Sequence, residues 1–93
     1  MALYWIGYDL DKPGQKYQEL IARLTALGAT KILLSDWLLP NDAGPDDIRK
    51  DLERFLDIND RILVSEVRRN AAWRNLLLSD QAVLNLFNTH AAG

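Results

Sequence analysis

Ala2 to Asp11, ALYWIGYDLD, is the stretch whose reading decides the fold. It is apolar and aromatic up to Tyr8 and then runs into carboxylates. On a strand, alternate side chains point to opposite faces, so Tyr4, Ile6 and Tyr8 share one face while Leu3, Trp5, Gly7 and Asp9 share the other. Both faces need cover, the pattern of a strand in the middle of its sheet. Its last residues emerge at the sheet rim, where acids stay hydrated. That position makes Asp9 the leading candidate for chemistry.

Working outward, Asp11-Lys12-Pro13-Gly14 is turn sequence, with one torsion fixed by proline and glycine free to take a positive one. From Gln15 to Leu27, Tyr17, Leu20, Ile21, Leu24 and Leu27 recur at three- and four-residue spacing and predict an amphipathic helix, with Lys16, Glu19 and Arg23 on its wet side. Gly28 stands where a left-handed residue closes such a helix. Ala29 to Leu39, ATKILLSDWLL, predicts two short strands joined near Ser35-Asp36. Pro40 to Pro45 reads as a loop that delivers Pro45 to the first turn of a second helix, whose positive end suits Asp46 and Asp47. Ile48, Leu52, Phe55 and Leu56 form that helix's apolar stripe, and Arg49, Lys50, Glu53 and Arg54 face water. Asp57 to Asp60 is a turn, and Arg61 to Val67, RILVSEV, is another strand.

The resulting order, strand-helix-strand-strand-helix-strand, predicts an α+β, ferredoxin-like βαββαβ domain over residues 1–67: an antiparallel sheet with both helices on one face. The other face, carrying Leu3 and Trp5, has no helix assigned to it, so a second copy of the chain is the expected cover. Residues 68–93 form a C-terminal extension. Within it, Trp73 to Leu78 reads either as a fifth strand or as the start of a helix. Ser79 reads as a helix cap, Val83, Leu84 and Phe87 as a short stripe, and His90 to Gly93 as a frayed tail.

Composition sets the class. A chain of 93 residues with 48% hydrophobic and 26% charged residues is that of an ordinary soluble domain. It is short enough that self-association would add useful burial. No apolar run approaches the ~20 residues that cross a bilayer, and the start of the chain reads as a strand rather than a signal peptide. The expected location is cytoplasmic. Absence of cysteine excludes disulfides and thiolate metal sites. A net charge of -2 argues against strong non-specific nucleic-acid binding. The charge is nevertheless uneven: residues 46–60 are mostly acidic, whereas residues 61–75 hold Arg61, Arg68, Arg69 and Arg74 against Glu66 alone.

Tyr8-Asp9-Leu10 with Lys12-Pro13-Gly14-Gln15, Leu27-Gly28, Ser35-Asp36-Trp37, and Asn59-Asp60-Arg61-Ile62-Leu63-Val64 follow one another at spacings that resemble the SinR-like relatives of CRISPR-associated protein 2 and the VapD toxins. The similarity spans roughly residues 1–67. It implies a ferredoxin-like homodimer, acting either as a divalent-metal-dependent endonuclease on RNA or DNA or as a non-catalytic scaffold. In the nucleases an aspartate at the end of the first strand is the proposed metal ligand, one from each subunit, and Asp9 holds that place. Ser35 and Trp37 match the serine and following aromatic of the second motif, and Tyr8 supports the first. Where nuclease members carry arginines after the first strand, this chain has Lys12, Pro13, Gly14, Gln15 and Lys16.

A pair of Asp9 carboxylates across a twofold axis suits Mg²⁺ or Mn²⁺, which take hard oxygen ligands and keep bound water. The competing reading is that Asp9 merely caps the turn that follows. Asp11, two residues on, is a second candidate ligand or simply a turn residue. Arg68, Arg69 and Arg74 around Trp73 form a candidate nucleic-acid patch, arginine for phosphates and indole for an unpaired base. The alternative is a solvated basic loop with Trp73 packed inward. His90 stands without ligand-type neighbours, and no phosphate loop, zinc spacing or serine-nucleophile motif is present.

Overall fold

The computed structural model describes residues 1–12 and 16–93, and of Gln15 the backbone alone. The expected Pro13-Gly14 turn lies outside the described residues. Seven elements follow in order: β1 (Ala2–Asp9), α1 (Gln15–Leu27), β2 (Thr30–Leu33), β3 (Asp36–Asn41), α2 (Pro45–Glu53), β4 (Arg61–Glu66) and α3 (Asp80–His90). The four strands form one antiparallel sheet in the order β2-β3-β1-β4. With three helices this is an α+β fold compatible with a ferredoxin-like domain.

β1 is internal, paired on one side to β3 and on the other to β4. Tyr4, Ile6 and Tyr8 bury against Leu20 and Leu24 of α1 and Ile48 and Leu52 of α2, so both helices cover one face, as the alternation requires. α1 closes at Gly28, whose φ of 93° is the left-handed value only glycine takes cheaply. α2 begins behind Gly44 with Pro45 in its first turn and Asp46 and Asp47 at its positive end. Arg23 is less wet than its helix position implies: it donates to Asp51 of α2 and ties the two helices together. Phe55 and Leu56 extend the apolar stripe beyond the end of α2 and still pack on the core.

Several boundaries differ from expectation. β1 stops at Asp9, not Asp11, and β4 at Glu66, although the Val67 N–H still reaches the Leu3 carbonyl. β3 absorbs Pro40 and Asn41, so the loop before α2 is shorter than its proline-bounded sequence suggests. The register explains the tolerance. Leu3 directs its carbonyl toward β4, so Pro40, its partner in β3, directs its own backbone away from β1, at a level before β2 begins. No ladder partner waits there for the N–H that proline lacks.

The second face corrects the expectation most. Its cover is not a sister chain at the Leu3 end: Leu3, Ile32 and Leu38 bury against Val83, Phe87 and Ala91, with Trp73 and Leu76 packed alongside. Residues 73–78 are neither strand nor helix but an irregular strap lying against β2, where the Leu77 N–H bonds to the Ile32 carbonyl. Asn75 takes a positive φ of 55° within it, a conformation asparagine tolerates better than most residues. Ser79 caps α3 as anticipated, its hydroxyl accepting from the Ala82 N–H. Leu84 is exposed, however, and Leu86 packs in its stead. The terminal residues are held rather than frayed: Ala91 is buried, Arg68 bridges to Ala92, and the Arg69 N–H bonds to the Ala92 carbonyl.

Candidate functional site

The end of the sheet where β1 finishes is uncovered on its second face. Asp36 pairs with Gly7, Leu63 pairs with Gly7 from the other side, and Leu33 pairs with Asp36, so Leu33, Asp36, Gly7 and Leu63 form a row across all four strands. α3 does not reach this row: Leu33 is 45% and Leu63 50% exposed. Gly7 keeps its centre shallow, since a Cβ there would stand 3.4 Å from Asp36 Oδ2 and 3.6 Å from Trp5 Nε1. Next to the row is an open cleft of about 300 Å³ lined by Trp5, Tyr8, Asp9, Asp36, Arg61 and Leu63, among others.

Asp9 sits at the mouth of this cleft, its side chain 78% exposed. Its cross-strand partner is Arg61, whose Nη1 lies 3.4 Å from Asp9 Oδ2. Both groups are hydrated, so the pair adds little stability and either is available to a ligand. Asp36 is held differently: the Trp5 indole N–H donates to its Oδ2 at 2.6 Å, fixing one carboxylate oxygen and leaving the other.

Behind the rim, Tyr8, Ser35 and Trp37 converge. The Tyr8 N–H donates to the Ser35 carbonyl at 3.1 Å, and the buried Trp37 indole donates to the Tyr8 hydroxyl at 3.1 Å. Burial pushes the Tyr8 phenol above its ordinary value, partly opposed by that indole donation, so at neutral pH it is a neutral structural group. The turn before β4 is fixed by Asp60, which accepts from the backbone N–H groups of Asp57 and Asp11. Those two bonds hold the Asp60 carboxyl below the usual carboxylate range. They also set the backbone at Asp11. The Asp11 side chain is exposed beyond the end of β1, so strand alternation no longer aligns it with Asp9.

The rest of the basic segment lies elsewhere. Arg61 pairs with Asp9 while Glu66 pairs with Tyr4, which places Arg68 beyond the opposite end of β4. Arg68 is exposed, as is Arg74; the Arg69 guanidinium donates to the carbonyls of Asn88 and Ala91 at the end of α3. Trp73 packs edge-on against Phe87, centroids 5.4 Å apart, and its indole donates to Asp80. Trp73 is thus a packing residue whose ring is engaged within the chain. Asp36 and Arg61 join the cleft through cross-strand pairing, Asp36 opposite Gly7 and Arg61 opposite Asp9, a signal the linear sequence does not carry.

A divalent cation fits the donors at the rim in part. Asp9 supplies one hydrated carboxylate, and Mg²⁺ is satisfied by one or two carboxylates with water in its other positions. No group of three acidic, histidine or cysteine side chains converges among the described residues.

No protein-family model matches the chain. It is similar to a crystal structure of a hypothetical protein, TT1823, from Thermus thermophilus, with a TM-score of 0.65 and 20% sequence identity over 83% of this chain and 95% of that one. At that identity the likeness bears on the fold. No helix among the described residues is long and apolar enough to cross a membrane.

Proposed function

We propose that the chain is a homodimeric, ferredoxin-like, divalent-metal-dependent nuclease of the type its sequence resembles, working through Asp9. The observation that carries this reading is the hydrated Asp9 carboxylate at the mouth of a cleft that also presents Arg61 and Asp36. A second copy seated on the open row at Leu33 and Leu63 would bury two half-exposed leucines per chain and bring the two Asp9 side chains toward one seam. There the pair of carboxylates would hold Mg²⁺ or Mn²⁺, which would supply positive charge beside a phosphodiester. Arg61, released from its weak pair with Asp9, contacts a neighbouring phosphate.

Purified protein supplied with Mg²⁺ or Mn²⁺ should cleave RNA or DNA. Asp9→Ala should abolish the cleavage while leaving self-association, measured by light scattering, unchanged. Equal residual cleavage by that variant would sink the enzyme reading.

A second reading is favoured by a specific observation: a single chain brings together no set of three ligand-type side chains among the described residues, and Asp9 already has a cationic neighbour. In that reading the same dimer is a scaffold with no catalytic step. It expects no metal-dependent cleavage, and loss of assembly rather than activity when the Leu33 and Leu63 row is made polar.

A further inference from the structure

A second cavity, of about 310 Å³, lies between the second sheet face and the C-terminal strap. Three aromatic side chains line it, Trp5, Trp73 and Phe87, over an aliphatic floor that includes Leu38 and Val83. Asp36 is the one charged side chain in the lining. It is half-buried and forms no ion pair among the described residues. Both indole N–H groups are already committed, Trp5 to Asp36 and Trp73 to Asp80, so the cavity asks for no hydrogen-bond acceptor. It offers aromatic surface and one carboxylate with an oxygen to spare, the combination that attracts an organic cation with an apolar body. We propose that this cavity binds a small organic ammonium ion, with its cationic head at Asp36 and its apolar body against Trp5 and Trp73.

The size is at the lower end of the range for small-ligand sites, which suits an arylalkyl amine rather than a nucleotide. Asp36 also lines the cleft at Asp9, but Asp9 is absent from this cavity's lining, so amine binding here does not require the nuclease reading.

Titration of the full chain with 2-phenylethylammonium, followed by the indole N–H signals of Trp5 and Trp73 in nitrogen-proton correlation spectra, tests this. Both signals should shift saturably, and the neutral isostere 2-phenylethanol should bind about tenfold more weakly. Asp36→Asn, whose amide oxygen still accepts from Trp5, should reduce the ammonium to the affinity of the alcohol and leave the alcohol unchanged. Ala72→Leu, at the exposed rim, should weaken both ligands without touching Asp36 and keeps the test decisive if Asp36→Asn unfolds. Asp9→Ala should bind as the parent does. Equal binding of amine and alcohol, undiminished amine binding by either variant, or shifts confined to other residues would overturn the proposal. So would much tighter binding of an N-acetyl-lysine amide, which would assign the cavity to a protein side chain instead of a free amine.

Discussion

The two faces of the sheet are closed in different ways. On one, α1 and α2 lay regular apolar stripes over Tyr4, Ile6 and Tyr8, and Leu20, Leu24, Leu39 and Leu52 are fully buried. On the other, one helix and an irregular strap close the Leu3 end and stop short of Gly7 and Leu63. Periodic cover gives a complete core. Improvised cover leaves a cleft, a cavity and an open apolar row, and the candidate chemistry of the molecule lies on that side.

If the contrast is right, the largest loss should come from the complete face. Leu24→Ala should cost about 2–5 kcal/mol of unfolding free energy in urea, because the surrounding helices cannot collapse onto the void. Trp73→Ala should cost roughly 1–3 kcal/mol through its lost packing on Phe87 and its bond to Asp80; an unchanged midpoint would mean the ring is free for stacking after all. Ser79→Ala should cost about 1 kcal/mol by uncapping α3, seen as earlier hydrogen exchange along that helix alone. Leu63→Ser, in the open row, should move monomer stability by less than about 0.5 kcal/mol while weakening any self-association at sedimentation equilibrium.

The smallest effect is one of slope. The Arg23 guanidinium holds the Asp51 carboxyl below the usual carboxylate range, with Arg54 adding to it against a desolvation cost. The folded value lies below the unfolded one, so the pair's contribution is complete above the ordinary carboxylate pKa and is lost as the pH falls through the depressed one. Asp51→Asn should flatten the acid limb of the stability profile and leave neutral-to-alkaline behaviour parallel. A profile unchanged below pH 4 would break the claim that this cross-helix pair matters.

The same division separates what was legible in the sequence from what was not. α1 could be bounded at Gln15 and Leu27 because its stripe is regular and Gly28 ends it, and the start of α2 because Pro45, Asp46 and Asp47 each suit a helix N-terminus. The internal position of β1 followed from apolar residues on both of its faces. The strap had no such signal: RRNAAWRNLLL carries neither period, and its path is set by where Leu76 and Trp73 find apolar surface on β2 and α3. Without that path, a sister chain was the natural cover for Leu3. At the candidate site, Asp9 stood out because carboxylates end an apolar strand. Asp36 and Arg61 did not, since their nearness to Asp9 is a matter of cross-strand register, which a single chain of letters leaves open by a residue or two.

Pro40 has an effect on how the sheet can grow. At the β2 side Leu77 already bonds to Ile32, and Pro40, in β3 just beyond β2, has no donor to offer. At the β4 side, the backbone from Arg61 to Glu66 has no strand on its outer flank among the described residues. A visiting strand, whether from a ligand peptide or from a misfolded neighbour, therefore has one docking margin to choose, and an antiparallel copy of β4 aligned there would set Arg61 against Glu66 at each end. A strand added to this sheet is therefore expected past β4 rather than past β2.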